Sequence, residues 1–132
     1  MATIYTLYKQ LMDYHHKLDP YAYPKYMSYK KYLDGKLEKS EIYTLKKDGK
    51  LVGMSLYYIQ DRKMTITDLI VDKKHRGSGY GSKILNVVEK IAKRRNCKSI
   101  RLQVSWVNEI AHNLYTRNGF KEASVTMYKK LK

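Results

Sequence analysis

Cysteine is almost missing: Cys97 stands alone among 132 residues, which excludes an internal disulfide framework and a cysteine-built metal cluster. Long apolar runs are missing as well. Met1–Leu18 has no extended hydrophobic stretch, and no segment approaches the span of a bilayer, so a soluble cytoplasmic protein with no membrane partner is expected. Proline occurs only as Pro20 and Pro24, and no repeat, linker or low-complexity tract divides the chain into parts. Residues 1–132 therefore read as one domain. Acidic residues are scarce too. Twelve Asp and Glu face 27 Lys and Arg, a net charge of +15. That balance favours anionic partners, although the lysines are scattered rather than gathered in one block.

What the chain does hold is tyrosine: fourteen, against one Phe and one Trp. A tyrosine has an apolar body and a polar tip, which suits the rim of a core or the wall of a cleft. Thr3 can cap a helix whose residues Ile4, Leu7, Tyr8, Leu11, Met12 and Leu18 keep helical spacing until Pro20 and Pro24. A short second helix is predicted over Lys25–Leu33, ending at Asp34-Gly35. Three runs rich in β-branched and aromatic residues follow, Glu41–Lys46, Leu51–Gln60 and Met64–Val71, separated by Asp48-Gly49 and Asp61-Arg62. This is the pattern of an antiparallel meander with tight turns. Ser82–Arg95 carries Ile84, Leu85, Val88, Ile91 and Ala92 on one stripe of a helix. Ser99–Val104 is then a strand parallel to Met64–Val71, because a helix separates the two. Asn108–Asn118 reads as a helix stopped by Gly119, and Thr126–Leu131 as a last strand. The expected class is mixed α/β.

The segment most specific in its chemistry is Asp68-Leu-Ile-Val-Asp-Lys-Lys-His-Arg-Gly-Ser-Gly-Tyr-Gly-Ser82. A strand runs into Gly77, Gly79 and Gly81, and a helix begins at once. Glycines let the backbone fold tightly and let an anion reach bare N–H groups, and the helix N-terminus adds its unpaired amides. Arg76, with Lys73, Lys74 and Lys83 close in sequence, raises the local positive potential. The spacing does not fit G-x-x-x-x-G-K-[ST], and Gly81 closes one position too early for G-x-G-x-x-G. A phosphate cradle of another kind is implied. The four histidines form no ligand spacing, so no metal is expected; His75 can help hold phosphate, and the others read as surface or rim residues. Cys97 reads as a small buried hydrophobe.

Arg76-x-x-Gly79-x-Gly81 resembles the R/Q-x-x-G-x-G/A motif of the GCN5-related N-acetyltransferase superfamily. Trp106-Val-Asn-Glu-Ile-Ala-His-Asn-Leu-Tyr-Thr-Arg-Asn-Gly-Phe120 is similar to its second signature, N-x-x-A-x-x-L-Y-x-x-x-G-F, with Asn108, Ala111, Leu114, Tyr115, Gly119 and Phe120 in register. The resemblance covers about Lys50–Lys132. It implies a mostly antiparallel central sheet with helices on both faces, and acetyl-CoA as the acetyl donor to an amine acceptor. Arg76, Gly77, Ser78, Gly79, Tyr80, Gly81 and Ser82 would hold its pyrophosphate. Leu69, Ile70 and Val71 would line the pantetheine arm with main-chain groups.

Acetyl transfer needs a held donor, a neutral amine and a proton for the departing thiolate. Asn108 and Tyr115, seven residues apart, share a helix face. The resemblance makes Tyr115 the proton donor and places Asn108 against the pantetheine or acetyl region. Asp68 is the nearest carboxylate on the preceding strand and a candidate base or amine anchor, with a water chain or an amine already deprotonated as the alternatives. Val52–Tyr58 also looks like the diamine and polyamine branch, in which Thr67 is replaced by glutamate. A chain at +15 repels polycations, however, so a protein N-terminus, a lysine, a less charged small amine or an amine on nucleic acid is the expected acceptor. Homodimers are compatible with the resemblance. Two rivals follow from charge: a basic nucleic-acid-binding protein whose exposed tyrosines stack on bases, and a transferase that docks on RNA or a ribosome.

Overall fold

Residues with strand-forming side chains concentrate between Glu41 and Val71, and there the chain lays down a three-strand meander. The structure is a computed structural model that describes residues 2–20 and 28–131. Strands β1 (Glu41–Lys47), β2 (Lys50–Gln60) and β3 (Lys63–Val71) pair antiparallel in that order. Asp48 and Gly49 both take positive φ, the backbone of a two-residue turn that matches strand twist. Asp61 and Arg62 do the same without a glycine, and Arg62 is tied down: its Nε donates to the Asn96 carbonyl and its own carbonyl accepts from the Lys98 amide.

Helices cover both faces. Helix α1 (Ile4–Leu18) starts at a capping box in which the Thr3 hydroxyl accepts from the Thr6 amide, and helix α2 (Tyr29–Leu37) is capped by Ser28. They bury Leu7, Tyr8 and Leu33 against Met54, Leu56 and Ile70. Helix α3 (Tyr80–Arg94) buries Ile84, Leu85, Val88 and Ala92 on the opposite face, against Tyr57, Met64 and Ile66. Burying a large aliphatic or aromatic side chain contributes roughly 1.5–3 kcal/mol, so these two clusters dominate stability. Strand β4 (Ser99–Leu102) joins β3 in parallel, and helix α4 (Glu109–Arg117) follows it.

One irregularity positions everything that follows. Leu56 pairs with Asp68 and the next residue, Tyr57, pairs with Ile66, so Thr67 is an extra residue in β3. Met64 and Ile66 therefore face the α3 core, whereas Asp68 and Ile70 turn to the face under α1 and α2. The buried Ser55 hydroxyl donates to the Asp68 carbonyl at 2.9 Å. Beyond the bulge the sheet splits: β3 pairs with β4 only through Lys63–Ile66, and its last five residues run on without that neighbour.

Three expectations are corrected. Thr126–Leu131 makes no strand: Val125, Met127 and Leu131 are exposed, and the Tyr128 hydroxyl reaches Asp19 instead of joining a ladder. Strand-compatible residues are not enough where no strand edge receives them. β4 ends at Leu102 rather than Val104, where β3 swings away. α2 passes through Asp34-Gly35 instead of ending there, because Asp34 is fastened to α1 by the Tyr5 hydroxyl at 2.6 Å. The expected start of that helix at Lys25, and Pro24 before it, lie outside the described residues. Among the described residues no helix is long and apolar enough to cross a membrane.

Candidate active site

The glycine loop is built for approach by a ligand. Asp72, buried, caps a single 3-10 turn at Lys73–His75 and accepts from Gln10 of α1, whose carbonyl oxygen in turn accepts from the Lys73 amide. Arg76 folds back, its Nε donating to the Val71 carbonyl at 3.1 Å and its guanidinium lying 5.7 Å from the Tyr14 ring. Gly77 and Gly79 have φ of 80° and 83°, a region other residues enter only with strain, and Gly79 is the N-cap of α3 without any side-chain cap. The first amides of α3 are thus left for an external acceptor, the arrangement that suits a phosphate. Ser78 is exposed beside them, and the Tyr80 ring meets His75 edge-on. These residues fit a pyrophosphate.

Gly81 serves a different purpose. A Cβ there would lie 3.0 Å from Leu114, so its absence lets α3 and α4 close on each other. The same contact is latched by Asn118, whose side-chain amide donates to the Ser82 hydroxyl at 3.0 Å. Two sequence signatures thirty residues apart are therefore one joint in space.

Tyr115 hangs from that joint. α4 ends in a Schellman cap: the Phe120 amide donates to the Tyr115 carbonyl, the Gly119 amide to Thr116, and Gly119 takes φ of 90°. The closing hydrophobic contact is Phe120 on Tyr115 itself, ring centroids 5.8 Å apart. The G-F end of the motif thus fixes the tyrosine. Burial, with a smaller push from the Asp68 charge, raises the Tyr115 hydroxyl to about 12, which keeps it a proton donor. Asn108 is buried at the other end, its side-chain oxygen capping α4 at the Ala111 amide. That cap explains the residue type by itself; a contact with donor would use the carboxamide NH2. Leu69 and Val71 pack toward α3 and Ile70 toward α1 and α2, leaving main-chain groups of that stretch along the split in the sheet.

Asp68 is the centre of a second cluster, which sequence reasoning missed. Its carboxylate accepts from Lys36 Nζ at 2.9 and 3.2 Å and from the Thr67 hydroxyl at 2.9 Å. Lys36 Nζ also stands 5.6 and 5.4 Å from the ring centroids of Tyr8 and Tyr32. The Tyr8 hydroxyl is buried with no hydrogen-bond partner among the described residues, and burial with the nearby carboxylate pushes its pKa up. His15, expected at a rim, comes near this group: burial lowers its pKa against an opposing pull from Asp68. A groove of about 670 Å3 opens beside the cluster between α2 and Thr67. No spacing rule links residues 8, 15, 32, 36 and 68, and nothing local distinguishes Lys36 from the other lysines of α2. Cys97 is half-buried against the α3 core.

Residues 4–120 match the model of the acetyltransferase (GNAT) family. A thialysine N-epsilon-acetyltransferase from Bos taurus is 34% identical over 77 residues, 54% of this chain and 45% of that protein. The chain spans less than half the length of the curated relatives it matches. Among solved structures, a mutant of the BH1408 protein from Bacillus halodurans superposes with a TM-score of 0.85 at 22% identity, over 98% of this chain and 92% of that one. An N-acetyltransferase, PaiA, from Thermoplasma acidophilum in complex with coenzyme A gives 0.67 at 23% identity, over 75% and 65%.

Proposed function

The chain belongs to the acetyltransferase (GNAT) family, and from that premise we propose that it passes an acetyl group from acetyl-CoA to an amine by direct attack in a ternary complex. Acetyl-CoA supplies the activated thioester. The amides of Gly77–Ser82 and the positive end of α3 hold its pyrophosphate, with Lys73, Lys74 and Lys83 setting the potential around them. The main chain of Leu69–Val71, free of β4, pairs with the pantetheine arm. Asn108 offers its carboxamide NH2 to the same arm. As the new N–C bond forms and the C–S bond breaks, Tyr115 gives its proton to the thiolate, and the ammonium proton leaves through Asp68 or His15.

The single observation that carries this reading is the joint between α3 and α4. Gly81 against Leu114, and Ser82 bonded to Asn118, join the glycine loop and the start of α3 to the helix that carries the half-buried Tyr115. A non-catalytic nucleic-acid binder is less well supported. Only Tyr32 and Tyr128 among the described tyrosines are exposed, so a stacking platform is missing and charge stands alone. Thermal shift with acetyl-CoA, followed by mass spectrometry of an amine panel, tests the reading. A stabilised protein and acetylated product are expected; a protein that acetyl-CoA leaves unmoved would overturn it.

A further inference from the structure

The cluster at Asp68 has the parts of an ammonium site: a buried carboxylate, two tyrosine rings and a hydroxyl from Thr67. Its occupant is the chain's own Lys36. A polycationic acceptor would have to expel that lysine to reach the carboxylate, leaving a second cation in the same space. The groove next to it is no kinder to such a molecule. Its wall carries Lys31, Lys36 and Lys39 against Glu38, and it runs from α2 to Thr67. Lys31 and Lys39 have no side-chain partner among the described residues and are exposed, whereas Lys36 is committed to Asp68.

We infer that the acceptor is a primary amine carrying an anionic group on the same molecule, with Lys31 and Lys39 holding the anion and Lys36 denying the ammonium seat to polycations. This rests on the acetyltransferase reading and sharpens it. The anionic end docks on the lysine wall, and the amine end reaches past Lys36 toward the split in the sheet. Exposed charge pairs are weak singly, and two together give an advantage of about tenfold. Phosphate and carboxylate share this chemistry, so the two are separated by experiment.

The test uses the full chain with acetyl-CoA, following release of coenzyme A thiol, on matched amines: ethanolamine against phosphoethanolamine, and glycinamide against glycine, with spermidine as the polycation. The anionic member of at least one pair is expected to show a KM about tenfold lower. The anionic members are the stronger bases, so a larger neutral fraction cannot produce that result. The pair with the larger ratio identifies phosphate or carboxylate. Combining Lys31→Glu with Lys39→Glu should erase the ratio. Lys36→Ala should raise kcat/KM for spermidine, and Lys36→Gln gives the same answer if the alanine variant folds poorly. A wild-type protein that prefers spermidine, treats the pair members alike, or acetylates neither would overturn the inference. If acetyl-CoA still stabilises that protein, only the acceptor assignment falls; if it does not, the transferase reading falls with it.

Discussion

The two walls of the cleft are held in different ways. The donor wall is backbone: left-handed glycines at 77 and 79, an uncapped helix start, and a Schellman cap that carries Tyr115. The acceptor wall is side chain: Lys36, Tyr8, Tyr32 and Thr67 around a buried carboxylate. On the proposed function, backbone geometry would serve what every acetyl-CoA has in common, its phosphates and amide arm. Side-chain charge can be exchanged one residue at a time, which suits the wall that must choose an acceptor. Changes on the donor wall should therefore act on the acetyl-CoA steps for every acceptor alike.

The largest expected effect comes from removing the hydroxyl that hangs on the donor wall. Tyr115→Phe should lower kcat by about 10²–10⁴ with acetyl-CoA affinity kept, read from steady-state rates and calorimetry. An unchanged rate takes Tyr115 out of the mechanism. Next is Gly79→Ala. A Cβ there meets no protein atom within 4 Å, so within the protein the change costs backbone strain alone, about 1–2 kcal/mol; relaxation of the loop out of the left-handed region would lower acetyl-CoA affinity roughly tenfold. Acceptor KM should stay put; a shift there instead would dissolve the distinction between the walls. Ser55→Ala strips the bulge of its buried hydroxyl bond and should cost about 1 kcal/mol in urea denaturation, with acceptor KM rising and acetyl-CoA affinity steady.

The smallest effect concerns pH. A tyrosine held at about 12 instead of 10.0 keeps its proton across the working range. kcat should climb as the amine loses its proton and show no phenol-dependent fall at pH ~10. The sign for stability follows. The raised hydroxyl contributes fully below pH 10.0, and its contribution fades as pH climbs through about 12. A descending limb centred on 10 in the pH–rate profile would mean that Tyr115 titrates as an ordinary phenol.

Much of the donor wall was legible because its causes are local. Gly79 and Gly119 stand at positive φ one residue before and two residues after a helix, and away from that wall Thr3 caps α1 for an equally local reason. The meander showed in its turn residues. The bulge did not, since Thr67 looks like any β-branched residue in a strand. Nor did the lysine at Asp68, because residues 36 and 68 meet only after three strands have folded. Thr126–Leu131 shows the reverse error: it reads as a last strand, but a ladder needs a second strand.

Thr67 makes strand β3 count differently on its two sides. Were Thr67 taken into a regular pleat instead of bulging, every side chain after it would swap faces: the carboxylate would sink among the apolar side chains of α3, and Leu69 would stand where Lys36 now finds its counter-ion. The odd insertion works as a parity bit for the whole cleft. Anyone grafting this strand into a scaffold that flattens the bulge would keep the sheet and lose the chemistry.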